Sequence, residues 1–351
     1  MIVFCWSQLP IYAARSIGAF VRASGENVIV LRMVTARFPI KGAVEMTGAR
    51  VIDVGRDDRR SIVDVAGEMP EVIVCGGWGI PSFWRWLKEV RSAGGKSIVC
   101  TDEPYRGRSL REAVRKIRFE ILLRKNIDMM FVAGRGGELK FVDYYGMSAN
   151  RVVSGMYAGD PGLFYDGMPI LERPKRFVYV GHWDTNKNVL RMCRAFDKVH
   201  QPGWTLEVYG GGPLEAELRN FESDHIHVHG YVNADQLGPI YREARCFVLG
   251  SHAEQWGVVV HEACMSGCML LLSDHVGSRF DFAKRENSVL FDPNSEEDFA
   301  RGFAAVMGRT DGECLLAQQI SVELGRLFSP QKFAANLTQM ITMLRNKSIR
   351  N

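Results

Sequence analysis

The chain has 351 residues, enough for two domains of ordinary size, and 46% of them are hydrophobic, which suffices for buried cores. No apolar run is long enough to span a bilayer, and the eight cysteines form no CxxC pair, which argues against a transmembrane protein, a zinc site and a disulfide framework. Residues 1–6 lack a basic region and predict a first core strand rather than a signal peptide. Several cysteines fall inside apolar runs, where they act as small hydrophobic residues, which favours a reducing cytoplasm.

Charge is divided unevenly along the chain. Residues 1–170 hold 24 Lys and Arg against 18 Asp and Glu, a balance of +6, whereas residues 171–330 hold 16 against 22, a balance of −6. A basic first half indicates an anionic partner for that half. Nucleic acid is not the expected partner, since no aromatic stacking run or nucleic-acid motif accompanies the charge.

Short apolar runs alternate with helical patterns through the first half. Strands are predicted over residues 2–6, 28–32, 51–54, 72–75, 96–100 and 129–132. Strands that alternate with helices predict a doubly wound α/β domain, which binds ligands at the carboxyl ends of its strands.

Four side chains follow these predicted strands. Gln8 lies in the loop after the first strand, Trp78 follows two glycines and offers an apolar face, and Arg135 could reach a phosphate. Asp102 follows the strand at 96–100 and is the nearest polar candidate for a reacting centre. The alternatives are a core tryptophan in a plain glycine turn and a surface turn delimited by proline around Asp102.

Residues 106–125 are the most basic stretch. The basic side chains are Arg106, Arg108, Arg111, Arg115, Lys116, Arg118, Arg124 and Lys125. The apolar side chains at helical spacing are Leu110, Val114, Ile117, Ile121 and Leu122. A basic amphipathic helix of this kind either rests on anionic lipid or packs, solvated, on its own domain. If it meets lipid, we expect peripheral binding without insertion.

A second alternation of strands and helices follows the proline-rich residues 168–174. The positions after its predicted strands are Gly181, His182 and Lys187, then Gly210, Gly211 and Gly212, then Tyr231 and Val232. Residues 329–344 predict a final amphipathic helix. This half therefore predicts a second doubly wound domain.

Two carboxylates, Glu254 and Glu262, have seven residues between them and follow the apolar run 246–250. Helical spacing begins at Val258, so Glu254 lies on a loop and Glu262 about two turns into a helix. Gly257 stands at the junction, where bare backbone amides and the positive end of the helix dipole make an anion site. Two acids beside an amide cradle suit a phosphorylated ligand with many hydroxyl groups.

The ordered set of Lys187, the glycine loop at 210–212 and the E-x7-E spacing resembles the signature of glycosyltransferase family 4, retaining sugar-nucleotide enzymes of the GT-B fold. The resemblance covers residues 150–345 well and the first half in outline. It implies an α/β fold of two Rossmann-like doubly wound domains facing a cleft. The implied parts are an acceptor-binding domain at 1–168, a nucleotide-sugar-binding domain at 169–330 and a C-terminal helix at 331–351 that returns to the first domain.

The resemblance also implies roles for residues. Glu262 would bind the ribose hydroxyls, Glu254 the sugar, and Lys187 the departing diphosphate. The other donor-side positions are Gly181, His182, Gly211, Gly212, Tyr231, Val232, Gln255, Trp256, Gly257, Val258 and Val259, the last five through backbone amides. Asp102 joins Glu254 and Lys187 as a catalytic candidate, and the acceptor-side candidates are Gln8, Trp78 and Arg135.

Two positions depart from the family pattern. His182 stands where arginine is usual, and a histidine neutralises phosphate only when protonated. No histidine follows the strand at 96–100, where many family members have one. The chain has no DxD motif, which fits chemistry without a metal or any cofactor beyond the nucleoside-diphosphate sugar.

The sequence therefore predicts a retaining transferase that moves a hexose-type sugar from a UDP- or GDP-linked donor, with UDP favoured, to a glycan or lipid-linked acceptor. The expected setting is bacterial polysaccharide or glycoconjugate synthesis, in the cytoplasm or at the inner face of a membrane. The alternatives are a non-catalytic GT-B module and a GT-B epimerase or phosphorylase, although no pyridoxal lysine is identifiable.

Overall fold

The computed structural model describes residues 1–33 and 42–348, without the side chains of the last two. The chain divides into two compact units: unit 1 is Met1–Ala158 with Phe328–Asn351, and unit 2 is Gly159–Leu327. The division therefore falls before the proline-rich residues at which the sequence suggested a boundary. Residues 349–351 of the predicted C-terminal segment lie outside the described residues.

In the described part of unit 1, seven parallel strands form one sheet. They are β1 (Ile2–Trp6), β2 (Val28–Met33), β3 (Arg50–Val54), β4 (Val72–Gly76), β5 (Lys96–Thr101), β6 (Met129–Val132) and β7 (Val152–Ser154). Their order is β3-β2-β1-β4-β5-β6-β7. The helices between them are α1 (Ile11–Ser24), α2 (Ala43–Thr47), α3 (Ile62–Ala66), α4 (Pro81–Ser92), α5 (Leu110–Arg118) and α6 (Arg135–Glu138).

The central strands of unit 1 are buried on both faces. Every residue of β1 and β6 is buried, as expected for continuous apolar runs in a parallel sheet covered by helices. The strand order reverses between β1 and β4, so the loops that follow these two strands diverge at a topological switch point.

The basic segment forms its helix later than its composition suggests. The side chain of Ser109 accepts a hydrogen bond from the backbone N–H of Glu112 at 3.2 Å, which caps α5 and leaves Arg106 and Arg108 before the helix. The helix continues as a π-helical turn over Phe119–Leu123 and a 3-10 turn over Arg124–Asn126.

Residues 159–327, all of which are described, form a second parallel sheet of six strands. They are β8 (Arg176–His182), β9 (Thr205–Gly211), β10 (Ile226–Val228), β11 (Cys246–Leu249), β12 (Met269–Ser273) and β13 (Ser288–Phe291), in the order β10-β9-β8-β11-β12-β13. The helices of this unit are α7 (Val189–Val199), α8 (Glu215–Arg219), α9 (Ala234–Arg242), α10 (Val258–Met265), α11 (Arg279–Phe282), α12 (Glu296–Met307) and α13 (Asp311–Gly325).

Two strands of unit 2 run further than predicted. Gly181 and His182, expected in a loop, are the last residues of β8 and pair with Gly210 and Gly211 at the end of β9. The reason is that glycines allow the two backbones to stay in register where side chains would collide. Both glycine motifs therefore lie side by side at one edge of the sheet.

The last helix, α14 (Pro330–Ser348), packs against α1 of unit 1. The Arg345 guanidinium lies 2.7 Å from carboxylate oxygens of both Glu26 and Glu71. The ring of Phe333 contacts that of Phe131 in β6, with centroids 5.1 Å apart. Among the described residues, no helix combines the length and the hydropathy that crossing a membrane requires.

Candidate functional site

The strand order of unit 2 reverses between β8 and β11, and two predicted site residues meet there. Lys187 follows β8, and Glu254 follows β11. Lys187 Nζ forms an ion pair with Glu254 Oε2, and the two side chains are only 22% and 15% exposed. Ser251 Oγ donates to the same carboxylate oxygen at 3.4 Å. A switch point is where open parallel sheets bind ligands.

The loop that carries Lys187 is held by its own polar side chains. Asp184 Oδ1 accepts a hydrogen bond from the backbone N–H of Lys187 at 2.8 Å. Asn186 donates its amide to Ala253 O at 2.9 Å and accepts at its backbone O from the N–H of His252 at 2.8 Å. The loops after β8 and β11 are therefore joined directly.

Sequence reasoning missed the roles of Asp184 and Asn186. The available signal was the composition of the loop, because Asp and Asn side chains hydrogen-bond nearby backbone groups and stabilise turns. Asn188 ends the same loop. It adopts a left-handed conformation with φ of 62° and donates to Pro293 O at 2.9 Å.

The glycines at the ends of β8 and β9 bring two backbones close together. A Cβ atom added to Gly210, whose φ is 145°, would lie 1.9 Å from Gly181 O. A Cβ added to Gly211 would meet nothing within 4 Å. The backbone at the end of β9 is therefore uncovered on one side, which suits a ligand that approaches the main chain.

The first turn of α10 supplies the predicted amide cradle. Gly257 caps this helix with φ of 87°, and the N–H groups of Val258 and Val259 have no acceptor within the helix because they belong to its first turn. These amides and the helix dipole favour an anion. The cradle follows directly after the loop of Glu254.

The side chain of Trp256 stabilises this loop. Its indole is buried, and Nε1 donates to Asp281 Oδ2 at 2.7 Å. Its backbone O accepts from the N–H of Ser278 at 3.0 Å. The predicted donor contact through backbone amides at Gln255 and Trp256 thus concerns the main chain, while the Trp256 ring belongs to the core.

Glu262 lies on α10 and receives a hydrogen bond from Tyr241. Burial raises the pKa of Glu262 to about 7, and the hydrogen bond from the Tyr241 hydroxyl, 3.4 Å from Oε2, opposes that rise. A carboxylate poised between its two protonation states responds strongly to a ligand that donates hydrogen bonds. The environment of Glu262 is therefore suited to a diol.

Its neighbour His261 is a buried structural group that the sequence did not single out. Nδ1 accepts from the N–H of Gly159 at 2.9 Å, and Nε2–H donates to Gly325 O at 2.7 Å. Burial lowers the pKa of His261 to about 4, partly offset by the bond to Gly325. A neutral imidazole thus ties α10 to both ends of unit 2.

The other donor-side residues share this edge of the sheet. Tyr231 and Val232 follow β10, and the exposed His182 ends β8, with its backbone O accepting from the Tyr179 hydroxyl at 2.8 Å. Gly210 N–H donates to Gly230 O at 3.2 Å, which joins the end of β9 to the loop after β10. The structure therefore brings the predicted donor-side residues to the carboxyl ends of four adjacent strands.

The acceptor-side candidates and the catalytic candidate Asp102 lie at the corresponding edge of unit 1. Gln8, Trp78, Asp102 and Arg135 follow β1, β4, β5 and β6, which are adjacent in the sheet. The Tyr157 hydroxyl donates to Asp102 Oδ2 at 3.3 Å.

Two of these side chains have partners within unit 1. The half-buried Trp78 ring packs against Phe119 and Phe141, with centroids 6.1 and 6.3 Å away. Arg135 Nη1 lies 3.0 Å from Glu138 Oε2. Trp78 therefore joins the loop after β4 to the core, with part of its surface left exposed.

Residues 167–311, which contain Lys187, the glycine loop and both glutamates, match the family model described as "Glycosyl transferases group 1". This part of the chain is therefore similar to group 1 glycosyltransferases. An uncharacterized glycosyltransferase of Methanocaldococcus jannaschii is 24% identical over 151 residues. That match covers 41% of this chain and 38% of the archaeal protein.

Solved structures resemble this chain over both of its units. Sucrose-phosphate synthase from Thermosynechococcus elongatus aligns with a TM-score of 0.74 and 17% identity, over 99% of this chain and 100% of that one. Anabaena HepE in complex with UDP aligns with a TM-score of 0.75 and 10% identity, over 97% of this chain and 99% of that one. The lipopolysaccharide outer core galactosyltransferase WaaB aligns with a TM-score of 0.73 and 15% identity, over 97% of this chain and 99% of that one.

These likenesses confirm the predicted family resemblance and the predicted fold class, an α/β protein of two doubly wound domains with the GT-B fold. The predicted enzyme class is that of the matched family. At such low identity the structural likeness establishes the fold alone.

Proposed function

We propose that this chain is a retaining glycosyltransferase that moves a hexose-type sugar from a nucleoside-diphosphate sugar, UDP in preference to GDP, to a glycan or lipid-linked acceptor. The observation that carries this proposal is the meeting of Lys187 and Glu254 at the switch point of unit 2, directly before the amide cradle of α10. The complex of HepE with UDP supports a UDP-linked donor, and the name of WaaB supports a role in bacterial polysaccharide or glycoconjugate synthesis.

The site provides one group for each part of such a donor. The amides of Val258 and Val259 and the ammonium of Lys187 suit the diphosphate. Glu262 suits the ribose hydroxyls, and Glu254 suits the sugar hydroxyls, since a carboxylate accepts hydrogen bonds from both oxygens. The cation at Lys187 stabilises the charge that develops as the diphosphate leaves.

Binding of the donor exchanges partners within the ion pair. Before the donor arrives, Glu254 neutralises Lys187. A diphosphate attracts the ammonium more strongly than one carboxylate does, because it carries more charge. Lys187 then pairs with phosphate, and Glu254 accepts hydrogen bonds from the sugar. The pair therefore keeps both groups in place without leaving a buried charge alone.

The acceptor is expected to attack from the face that the leaving group departs from, with the diphosphate taking its proton. Gln8, Trp78 and Arg135 are the proposed acceptor-side residues, and Asp102 is the polar group at the end of β5. We propose that the reaction needs neither a metal nor a further cofactor. Equal turnover with and without a chelator is the expected result.

Release of UDP from a UDP-sugar tests the proposal. Wild-type protein should hydrolyse the donor slowly, Glu254→Ala should abolish this activity, and Glu297→Ala, at an exposed surface glutamate, should retain it. A wild type that binds UDP but releases no product would instead support the alternative of a non-catalytic nucleotide-sugar-binding module.

The donor base is found by thermal shift against a panel of nucleotides. A ligand at about a hundred times its dissociation constant stabilises the folded state by roughly 2.7 kcal/mol. A larger shift with UDP than with GDP is expected, and the reverse order would overturn the choice of base.

A further inference from the structure

Helix α5 is attached to unit 1 through its polar face. Glu112 is 5% exposed, and its Oε1 lies 3.0 Å from both Lys140 Nζ and the Tyr145 hydroxyl. Lys140 is 2% exposed and also reaches Glu103 at 2.7 Å. Burial raises the pKa of Glu112, but Lys140 and Tyr145 outweigh it and hold the pKa below its ordinary value. The anchor is therefore a charged, fully partnered cluster.

The apolar stripe of the same segment faces solvent. The exposed fraction of each side chain is high: 90% for Leu110, 65% for Val114, 59% for Ile117, 65% for Ile121 and 52% for Leu122. At about 100° per residue, Leu110, Val114 and Ile117 lie on the helix face opposite Glu112. A surface helix ordinarily buries its apolar face, so the orientation of α5 is the reverse of the usual one, and among the described residues of unit 1 the stripe is left exposed.

Positive charge borders this apolar stripe. Arg111 and Arg118 are exposed and have no ion-pair partner among the described residues, and Lys125 is exposed at the end of the segment. A partner that complements this surface is therefore apolar inside and negatively charged at its own surface. An anionic lipid bilayer has both properties over an area larger than the helix.

The anchor joins α5 to the acceptor-side edge of unit 1. Phe119, one residue beyond α5, is buried against the Trp78 ring after β4. Lys140 links Glu112 to Glu103, which directly follows Asp102 after β5. A surface that holds α5 is thus held close to the loops that carry Trp78 and Asp102.

We propose that α5 and the π-helical turn after it dock unit 1 on an anionic membrane, with the apolar stripe inserted among the lipid headgroups. Insertion replaces the peripheral binding without insertion that the sequence suggested, because the stripe is left exposed among the described residues. This identification of the acceptor rests on the proposed function: the acceptor is then a lipid-linked sugar held in the same bilayer.

Vesicle flotation tests the docking. The full chain should float with phosphatidylcholine vesicles that contain phosphatidylglycerol and remain behind with pure phosphatidylcholine.

Three variants separate the apolar from the charged contribution. A triple variant, which keeps all charges, should bind the vesicles about tenfold or more weakly; it combines Val114→Ser, Ile117→Ser and Ile121→Ser. Arg111→Gln with Arg118→Gln should weaken vesicle binding by roughly fivefold per charge. Leu315→Ser with Leu316→Ser, at 46% exposed residues of α13, should change nothing.

Insertion is measured with a polarity-sensitive fluorophore. All eight native cysteines are buried, so a cysteine introduced by Ile117→Cys is labelled selectively. Its emission should rise and shift to the blue on anionic vesicles, whereas the same label introduced by Leu315→Cys should not respond. If the protein floats with anionic vesicles but the emission of the label at position 117 does not change, insertion is overturned.

Failure of this inference is separable from failure of the proposed function. The triple serine variant should release UDP from soluble donor at the wild-type rate and lose only transfer to a vesicle-borne acceptor. If wild-type protein ignores anionic vesicles even at low salt, docking is overturned. Self-association that the serine substitutions abolish would then identify the stripe as a protein interface.

Discussion

Lys187 and Glu254, 67 positions apart in the chain, form an ion pair at the switch point of the second sheet. Each residue is held by its own loop, and Asn186 joins the two loops. The pair is partly buried, so removing either member leaves a charge in a poorly solvated place. Substitutions at this pair must therefore be judged on folding and on activity separately.

Lys187→Ala should lower turnover on the order of a hundredfold, because the proposed role of its charge is to stabilise the departing diphosphate. Lys198→Ala is the matched control, since Lys198 lies exposed on α7 and forms an ion pair with surface Glu297 at 3.4 Å. Steady-state release of UDP and the melting temperature are measured together. A folded Lys187→Ala protein with near wild-type turnover would show that the diphosphate site is assigned to the wrong loop.

Glu262→Ala should weaken binding of free nucleoside diphosphate by roughly ten- to hundredfold, since hydrogen bonds to charged groups contribute about 1.5–3 kcal/mol. Calorimetry compares the wild type, this variant and the control Glu297→Ala, at an exposed surface glutamate. Equal affinities for all three proteins would exclude the ribose role.

Nucleotide affinity should also rise with pH. Burial raises the pKa of Glu262 to about 7. The proposed hydrogen bonds from the ribose hydroxyls to the carboxylate would favour its ionised form and lower that pKa in the complex. Binding therefore releases protons, and affinity increases as pH rises toward 7 and levels off above it. Calorimetry across pH 6 to 8 measures the slope, which Glu262→Gln should flatten if Glu262 causes it.

Acid should destabilise unit 2 through His261. Its pKa is lowered from 6.5 to about 4 in the folded state, so the unfolded state binds the proton first. The stabilisation is present above pH 6.5 and is lost as pH falls toward 4, by roughly 3 kcal/mol at about 1.4 kcal/mol per pKa unit. Denaturant titrations should show this loss in the wild type and in His227→Gln, and a shallower one in His261→Gln.

Gly210→Ala should destabilise the protein by roughly 1–3 kcal/mol, because its Cβ would collide with Gly181 O and its backbone conformation disfavours a side chain. Gly211→Ala, one residue on, has open space and should change stability by less than about 0.5 kcal/mol. Equal melting temperatures for the two variants would contradict the described packing of β8 on β9.

Local patterns predicted most of the elements, whereas the family resemblance supplied the donor-side residues, which stay predictions. Apolar runs buried on both faces specify parallel strands, and the start of α10 at Val258 follows from helical spacing after Gly257. The ends of elements were less predictable, since β8 and β9 extend through glycines that serve equally in loops. The composition of a glycine motif does not reveal whether a neighbouring strand will pair with it.

The sequence by itself determined that residues 106–125 have an apolar and a basic face, and that two glutamates flank a helix start. Only the tertiary structure decided that α5 is anchored through Glu112 and Lys140, with its apolar stripe outward, and that Glu254 faces Lys187. Periodicity is a property of one segment, whereas the face that packs depends on which distant side chains lie beneath it. Sheet order likewise depends on contacts between strands far apart in the chain, so the ion pair was settled by topology.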